Sequence, residues 1–351
     1  MHENTRKKVV IGLSGGVDSS VAALLLKQSG YDVIGVTLYL HSNGNDTYLT
    51  DAKNVAEKLS IPFFTIDLRK EFKQYVIDYF ANEYINGKTP NPCIECNKHL
   101  KFGLMLEKAK ELFDADYIAT GHYAKIEYNP NTEKYYIRES GAIGKDQTYV
   151  LYNLTQNQLQ HTLMPLGDYT KDQIREIAKQ NGFITADKKD SQEICFVEDN
   201  DYAGFIQKNY NYTPIKGEFI DTHANKYGLH KGLIHYTVGQ RRGLGLSLKS
   251  PLYVNKLDCK TNQVILSSNE ELFSDNLICD NINLITLDKI TSPLSATVKI
   301  RYSAPKVKAT LIPIDDDHIK VIFDEPQRAI TPGQAVVFYD NDIVIGGGTI
   351  S

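Results

Sequence analysis

From Lys8 to Asp67 short apolar runs alternate with stretches in which apolar residues recur every three or four positions. Val9 to Leu13, Val33 to Leu40 and Phe63 to Asp67 read as buried strands, while Val17 to Gln28 and about Thr50 to Leu59 read as helices. Strand and helix in alternation require a parallel sheet with crossover helices on its faces. Further helices are predicted over Glu71 to Ile85 and Lys98 to Phe113, then a short buried strand over Tyr117 to Thr120 that ends at Gly121-His122. The expected fold of this part is a doubly wound α/β domain.

Ala124 to Glu139 reads as a hairpin turning at Asn129-Pro130-Asn131, and Lys171 to Gln180 as a helix with a capping box at Thr170 and Gln173 and a stop at Asn181-Gly182. Helical texture extends to about Asn209. After Thr213-Pro214 the apolar runs shorten and Gly217, Gly228, Gly232, Gly239, Gly243 and Gly245 punctuate them, the mark of a small, mostly β unit. The runs Ala296 to Tyr302, Lys306 to Ile312, Ile319 to Phe323, Ala335 to Tyr339 and Ile343 to Ile345 predict a terminal β-barrel. The expected division is 1–209 for the α/β domain, 210–274 for the central β-rich domain and 275–351 for the barrel.

Composition narrows the classes. With 351 residues, 42% hydrophobic and 23% charged, the chain is ordinary globular protein, and no apolar run reaches the length of a membrane span. The short polar stretch before the first strand leaves no room for a targeting peptide, so a cytoplasmic location is the expectation. Five cysteines, an odd number in a long chain, point away from a disulfide framework and toward reactive or metal-binding thiols. The net charge of -4 offers no global attraction for nucleic acid, so an RNA site must be local. Candidate basic patches are Lys98 with Lys101, Lys188 with Lys189, Arg241 with Arg242, and Lys299 through Lys308.

The first strand runs through Gly12 and Leu13 into Ser14-Gly15-Gly16-Val17-Asp18-Ser19-Ser20 and on into an apolar helix. A loop at the carboxyl end of a parallel strand is where such sheets bind ligands. Paired glycines let backbone N–H groups converge on an anion, the helix start adds its dipole, and the serines add hydroxyl donors, so a phosphate chain fits. Asp18 would repel phosphate directly and is expected to act through Mg2+. The lysine of a Gly-x-x-x-x-Gly-Lys-Ser/Thr loop is absent.

Thr89 to Asn97 is a proline-braced segment, and with a helix starting near Lys98 it sets Cys96 beside a helix N-terminus. There the dipole, Lys98 and Lys101 would favour the thiolate. Cys195 lies between a polar and an apolar stretch, and its setting alone reads as a small core residue.

Taken together these segments resemble the tRNA-specific 2-thiouridylase family, within the PP-loop ATP pyrophosphatase superfamily. The resemblance runs from Lys8 to Ile350 through the glycine loop, Thr89 to Phe102, Ala119 to Tyr123, Lys145-Asp146-Gln147, Ile194-Cys195-Phe196, His235 to Gly245, and Thr331 to Gln334. It implies an enzyme that binds ATP through Gly12, Leu13, Ser14, Gly15, Gly16, Val17, Asp18, Ser19, Leu38 and Gly121. It implies that Asn91, Pro92 and Cys93 meet the target base, and that His122, Lys145, Asp146, Gln147, Arg301, Tyr302 and Gln334 contact tRNA. The implied reaction adenylates the C2 oxygen of the wobble uridine (position 34), and Cys195 then delivers persulfide sulfur while Cys96 releases it. The tRNAs implied are those for lysine, glutamate and glutamine, with a cysteine desulfurase or sulfur-relay protein as donor.

One departure stands out: many members carry Asp where this chain has Cys93. That residue becomes a third active-site thiol, and two alternatives to the persulfide relay follow, an Fe-S cluster on Cys93, Cys96 and Cys195, which is less favoured, or zinc held with His99. Other functional classes are a PP-loop synthetase acting on a small molecule and a non-catalytic tRNA-binding protein. The first leaves the cysteines and β domains without a role, and the second leaves the intact loop without one.

Overall fold

The computed structural model describes residues 6–41, 47–142, 144–186, 194–247 and 250–351. Strands β1 (Lys8–Gly12), β2 (Asp32–Tyr39), β3 (Phe63–Asp67) and β4 (Tyr117–Ala119) enter one sheet; a hairpin of β5 (Ala124–Asn129) and β6 (Lys134–Glu139) leaves it, and β7 (Thr162–Leu163) returns. The order is β3-β2-β1-β4-β7, all parallel. Alternate residues of β1 serve opposite layers. Val9 and Ile11 pack with the apolar face of α1 (Val17–Gln28), and Val10 packs with Phe102 and Met105 on the other side. The doubly wound expectation therefore holds. Chain order reverses between β1 and β4, which opens a crevice at their carboxyl ends.

Several local expectations change. The helix expected from Lys98 starts at Pro92, capped by the Asn91 side chain, and runs through 92–113 with a π-helical stretch over Cys96–Leu104. Proline at the first helical position suits its fixed φ and missing N–H, so the prolines start this helix rather than merely preceding it. The predicted Glu71 to Ile85 helix occupies 69–85. Helix Lys171–Gln180 has both halves of its capping box, with Gln173 N donating to Thr170 Oγ1 and Thr170 N to Gln173 Oε1. Between Gln180 and Tyr202, however, the described residues form turns and one 3-10 turn rather than continued helix.

The central unit holds β8 (Gly217–Asp221), β9 (Lys226–His230), β10 (Tyr253–Asp258) and β11 (Gln263–Ser267) in the order β10-β11-β8-β9. The last strands are β12 (Phe273–Leu284), β13 (Leu294–Lys299), β14 (Val307–Pro313), β15 (Ile319–Arg328), β16 (Ala335–Asp340) and β17 (Ile343–Ile350). They run β12-β15-β14-β13-β16-β17 and close by a β12–β17 pairing, an antiparallel barrel of six strands. The β5/β6 hairpin adds to this barrel's sheet through β6–β17. Pairing a hairpin from the α/β domain with the last strand of the chain fixes the barrel against the first domain. No helix among the described residues is long and apolar enough to cross a membrane.

Candidate active site

The glycine loop occupies the crevice. Gly15 has φ +69, and a Cβ there would stand 2.5 Å from the Tyr48 carbonyl oxygen in α2 (Thr47–Leu59), so only glycine lets this helix close on the loop. Gly16 caps α1 without any side-chain acceptor, which leaves the first-turn N–H groups for an anion. Ser14 N donates to Ser19 Oγ at 3.2 Å and the two hydroxyls are 3.2 Å apart. Ser19 and Ser20 depart from the expected set of donors: both are buried, and their hydroxyls donate to the Gly16 carbonyl at 3.2 and 2.8 Å. From the far wall, Gly121 comes so near that a Cβ would lie 2.8 Å from Ser19 N and 2.9 Å from the Asp18 carbonyl carbon. Gly12 and Leu38 line the same end of the sheet, a Cβ on Gly12 meeting Met105 Sδ at 3.4 Å.

Asp18 has a partner that the sequence did not reveal. Lys171 Nζ donates to both carboxylate oxygens at 2.8 Å, and Tyr123 OH donates to Oδ1 at 2.7 Å. The Lys171 side chain is 9% exposed and that of Asp18 30%, so the pair is shielded where a nucleotide would sit. Both oxygens of Asp18, the expected Mg2+ ligand, are engaged by the Lys171 ammonium. The clue in the sequence was a lysine in the first turn of a helix, where the dipole disfavours a cation. Tyr123 carries the connection onward. Its N–H donates to Gln147 Oε1 at 2.9 Å and its carbonyl accepts from Gln147 N at 3.0 Å.

Lys145-Asp146-Gln147 is thus tied to the loop, and Asp146 holds its own turn by accepting from Ser140 N, Thr148 N and Thr148 Oγ1. His122 is buried, 2.8 Å from Thr120 Oγ1 and packed on Phe102, and burial with the nearby Lys101 charge keeps its imidazole neutral. Gln334 Nε2 donates to the Thr89 carbonyl at 2.7 Å while Thr89 N donates to the Pro332 carbonyl at 2.9 Å. That clamp fastens the barrel to the segment leading into Asn91, Pro92 and Cys93.

The three thiols gather at this junction. Cys93 and Cys195 reach the surface and Cys96 is buried, all unbonded. Burial pushes the Cys96 thiol up to about 11; Cys195, an exposed residue whose thiol is nevertheless enclosed by its surroundings, is pushed up to about 12, and each is raised further by its neighbouring thiols, with Lys101 opposing. Burial raises Cys93 as well, again against Lys101. The expectation of a thiolate-favouring helix terminus at Cys96 is therefore overturned. Because the helix starts at Pro92, Cys96 sits beyond the first turn, and removal from water outweighs the dipole. Phe196 anchors the Cys195 segment by packing against Phe72, Phe80 and Phe205 in the cluster that also contains Cys96. Tyr302 of the barrel, 42% exposed, has its hydroxyl raised by partial burial and then by Asp146 and Cys93 nearby, and Lys299 lies 5.8 Å from its ring. Arg301 is half-buried and donates to the Ala329 carbonyl and to Thr331 Oγ1.

His99 stacks on Tyr75 and faces Glu95 at 3.2 Å. Among the described residues no three His, Cys, Asp or Glu side chains form a group that could hold a metal ion. Lys188 and Lys189 lie outside the described residues.

Comparison with known proteins follows the same geography. A protein of Clostridioides difficile (strain 630) named tRNA-specific 2-thiouridylase MnmA is 52% identical over 98% of this chain and 98% of its own length. The chain belongs to the tRNA-specific 2-thiouridylase family. A family protein of the same name from Clostridium acetobutylicum is also 52% identical, over 98% of this chain and 99% of that one. Residues 7–199 match the tRNA methyl transferase HUP domain, 203–268 the tRNA methyl transferase PRC-barrel domain, and 274–350 the aminomethyltransferase beta-barrel domain.

Proposed function

We propose that this protein is an ATP-dependent tRNA-uridine 2-sulfurtransferase that converts the wobble uridine to 2-thiouridine. The observation that carries the reading is the gathering of three free thiols near an exposed tyrosine, in a chain that also carries the glycine loop and is half identical to 2-thiouridylases from end to end. In this reading ATP lies on Gly12 to Ser19 with Leu38 and Gly121, its phosphates on the open N–H groups of α1. Lys171 supplies positive charge there, and Mg2+ enters with the nucleotide's phosphates rather than as a ligand of Asp18. The uridine O2 attacks the α-phosphorus and diphosphate leaves, so the oxygen departs later as part of AMP.

Cys195, loaded as a persulfide by a donor protein, presents its outer sulfur to C2. Cys96 attacks the inner sulfur, the S–S bond breaks, and the outer sulfur passes to C2 as AMP leaves. A Cys96–Cys195 disulfide remains, which a thiol reductant resets with two electrons. Cys93 takes the place of an acid or base beside the target base, its raised thiol holding its proton at neutral pH and so acting as a weak donor. Asn91 and Pro92 frame that base, and Lys145, Arg301 and Tyr302 meet RNA. His122, Asp146, Gln147 and Gln334, each engaged with protein partners, hold the shape of the RNA-facing surface. We further propose tRNAs for lysine, glutamate and glutamine as substrates, a cysteine desulfurase or relay protein as donor, and a functional division at 1–209, 210–274 and 275–351.

The test separates the two half-reactions. Cys195→Ser is expected to abolish sulfur incorporation while tRNA-dependent diphosphate release continues. Loss of both, or diphosphate release by the wild type without tRNA, would refute the assignment.

A further inference from the structure

The exposed loop around Arg241 and Arg242 has no role in the chemistry above, yet it is built with care. Gly239 N donates to the Val254 carbonyl at 2.7 Å and Val254 N to the Gln240 carbonyl at 2.9 Å, tying the loop to β10. The Gln240 side chain spans it, accepting from Thr237 N at 3.0 Å and donating to the Arg242 carbonyl at 2.9 Å. Gly239, Gly243 and Gly245 take φ of +87, +76 and +72, conformations that glycine adopts without strain. Two neighbouring arginines, both exposed, are therefore held out on a stiff backbone.

From this loop a line of positive charge runs toward the thiols. A Cβ on Gly239 would stand 3.6 Å from Arg328 Nη1. Arg328 lies over the Tyr253 ring and donates to Asn269 Oδ1 at 3.0 Å, so its position is set by uncharged partners. Next to it is Arg301, near enough to feel its charge and hydrogen-bonded to Arg328, Ala329 and Thr331 oxygens. Tyr302 follows in sequence, within electrostatic reach of Cys93. Among the described residues the ion-paired arginines are Arg69 and Arg138, and no carboxylate pairs with Arg241, Arg242, Arg301 or Arg328. In a chain of net charge -4, guanidinium groups set side by side without acids are matched by a polyanion.

We propose that Arg241, Arg242 and Arg328 form a phosphodiester-binding track that receives the RNA backbone flanking the target nucleotide and orients it across the junction of the central domain and the barrel. The contacts are to phosphate, so they add affinity and register without reading sequence. The proposal rests on the tRNA reading above but is tested apart from it, by direct binding without ATP.

Fluorescence anisotropy with labelled tRNA across 50 to 200 mM salt gives the affinity and the slope of log affinity against log salt. The paired substitution Arg241→Gln with Arg242→Gln is expected to weaken binding about tenfold at 0.1 M salt and to flatten the slope by about 1.5 to 2, and Arg328→Gln by about half as much. Arg241→Lys with Arg242→Lys keeps the charge and should restore the wild-type slope, which separates lost charge from a disturbed loop. An unchanged slope and affinity in glutamine variants that melt at the wild-type temperature would overturn the track. So would lysine variants as weak as the glutamine ones. Thiolation failing in the wild type while the arginine-dependent binding persists would sink the enzymatic reading and leave the track standing.

Discussion

The nucleotide loop and the thiol centre are made in opposite ways. The loop is one short stretch of chain whose function lies in backbone geometry: two glycines, an open helix start and a wall at Gly121 close enough to exclude a methyl group. The thiol centre draws on the helix over 92–113, the segment around Cys195 and the barrel at Tyr302, separated by about a hundred residues in each step, and its function lies in side chains. A site made of backbone has its donors set as soon as its strand and helix form, and its neighbours at Tyr48 and Gly121 then close around it. One made of distant side chains becomes available only when the domains have docked.

The sharpest way to break this contrast is at Gly121. Gly121→Ala places a methyl group against Ser19 N and should reduce diphosphate release by at least about a hundredfold, while the cysteines keep their reactivity toward an alkylating reagent. Loss of thiol reactivity as well would show the two halves to be one structural unit. Lys171→Met is expected to cost less. It strips Asp18 of a charged hydrogen-bond partner worth about 1.5 to 3 kcal/mol, seen as a lowered melting temperature and a raised KM for ATP. Wild-type values for both would remove Lys171 from the nucleotide site.

The thiols supply a pH prediction. With Cys96 up at about 11 and Cys195 at about 12, both are protonated at neutral pH, so alkylation should quicken about tenfold per pH unit and show no plateau below pH 10. The sign for stability is the reverse. The folded state holds these protons more tightly than the unfolded chain does, so their contribution is intact below about pH 8.5 and declines as pH rises above it. A plateau in alkylation near pH 7 would restore the thiolate reading of Cys96. The smallest effect is expected from Gln334→Ala, which removes the donor to Thr89 and should weaken tRNA binding only a few-fold by loosening the clamp before Asn91. An effect on diphosphate release without tRNA would extend the clamp's influence to the loop.

Legibility followed the same division. The βαβ periodicity, the loop, the Thr170 capping box and the barrel strands were readable because each depends on neighbours within a few residues. The start of the helix at Pro92 is not legible in the sequence, because a proline that ends a loop and one at the first helical position satisfy the same constraint. The Ser20 hydroxyl turned inward because its nearest free acceptor was the carbonyl one turn back, at Gly16. Lys171 stayed hidden since its partner is 153 residues away.

By itself the sequence determined the doubly wound domain, the phosphate-ready loop, the barrel strands and the family, all carried by local pattern or motif identity. Tertiary structure alone decided that the β5/β6 hairpin joins the barrel, that Asp18 answers to Lys171 and Tyr123, and that Cys96 is buried, which pushes its thiol up. The physical reason is that hydrogen-bonded backbone geometry and periodic burial act at short range along the chain. Desolvation and charge pairing depend on which distant segments come to share the same space.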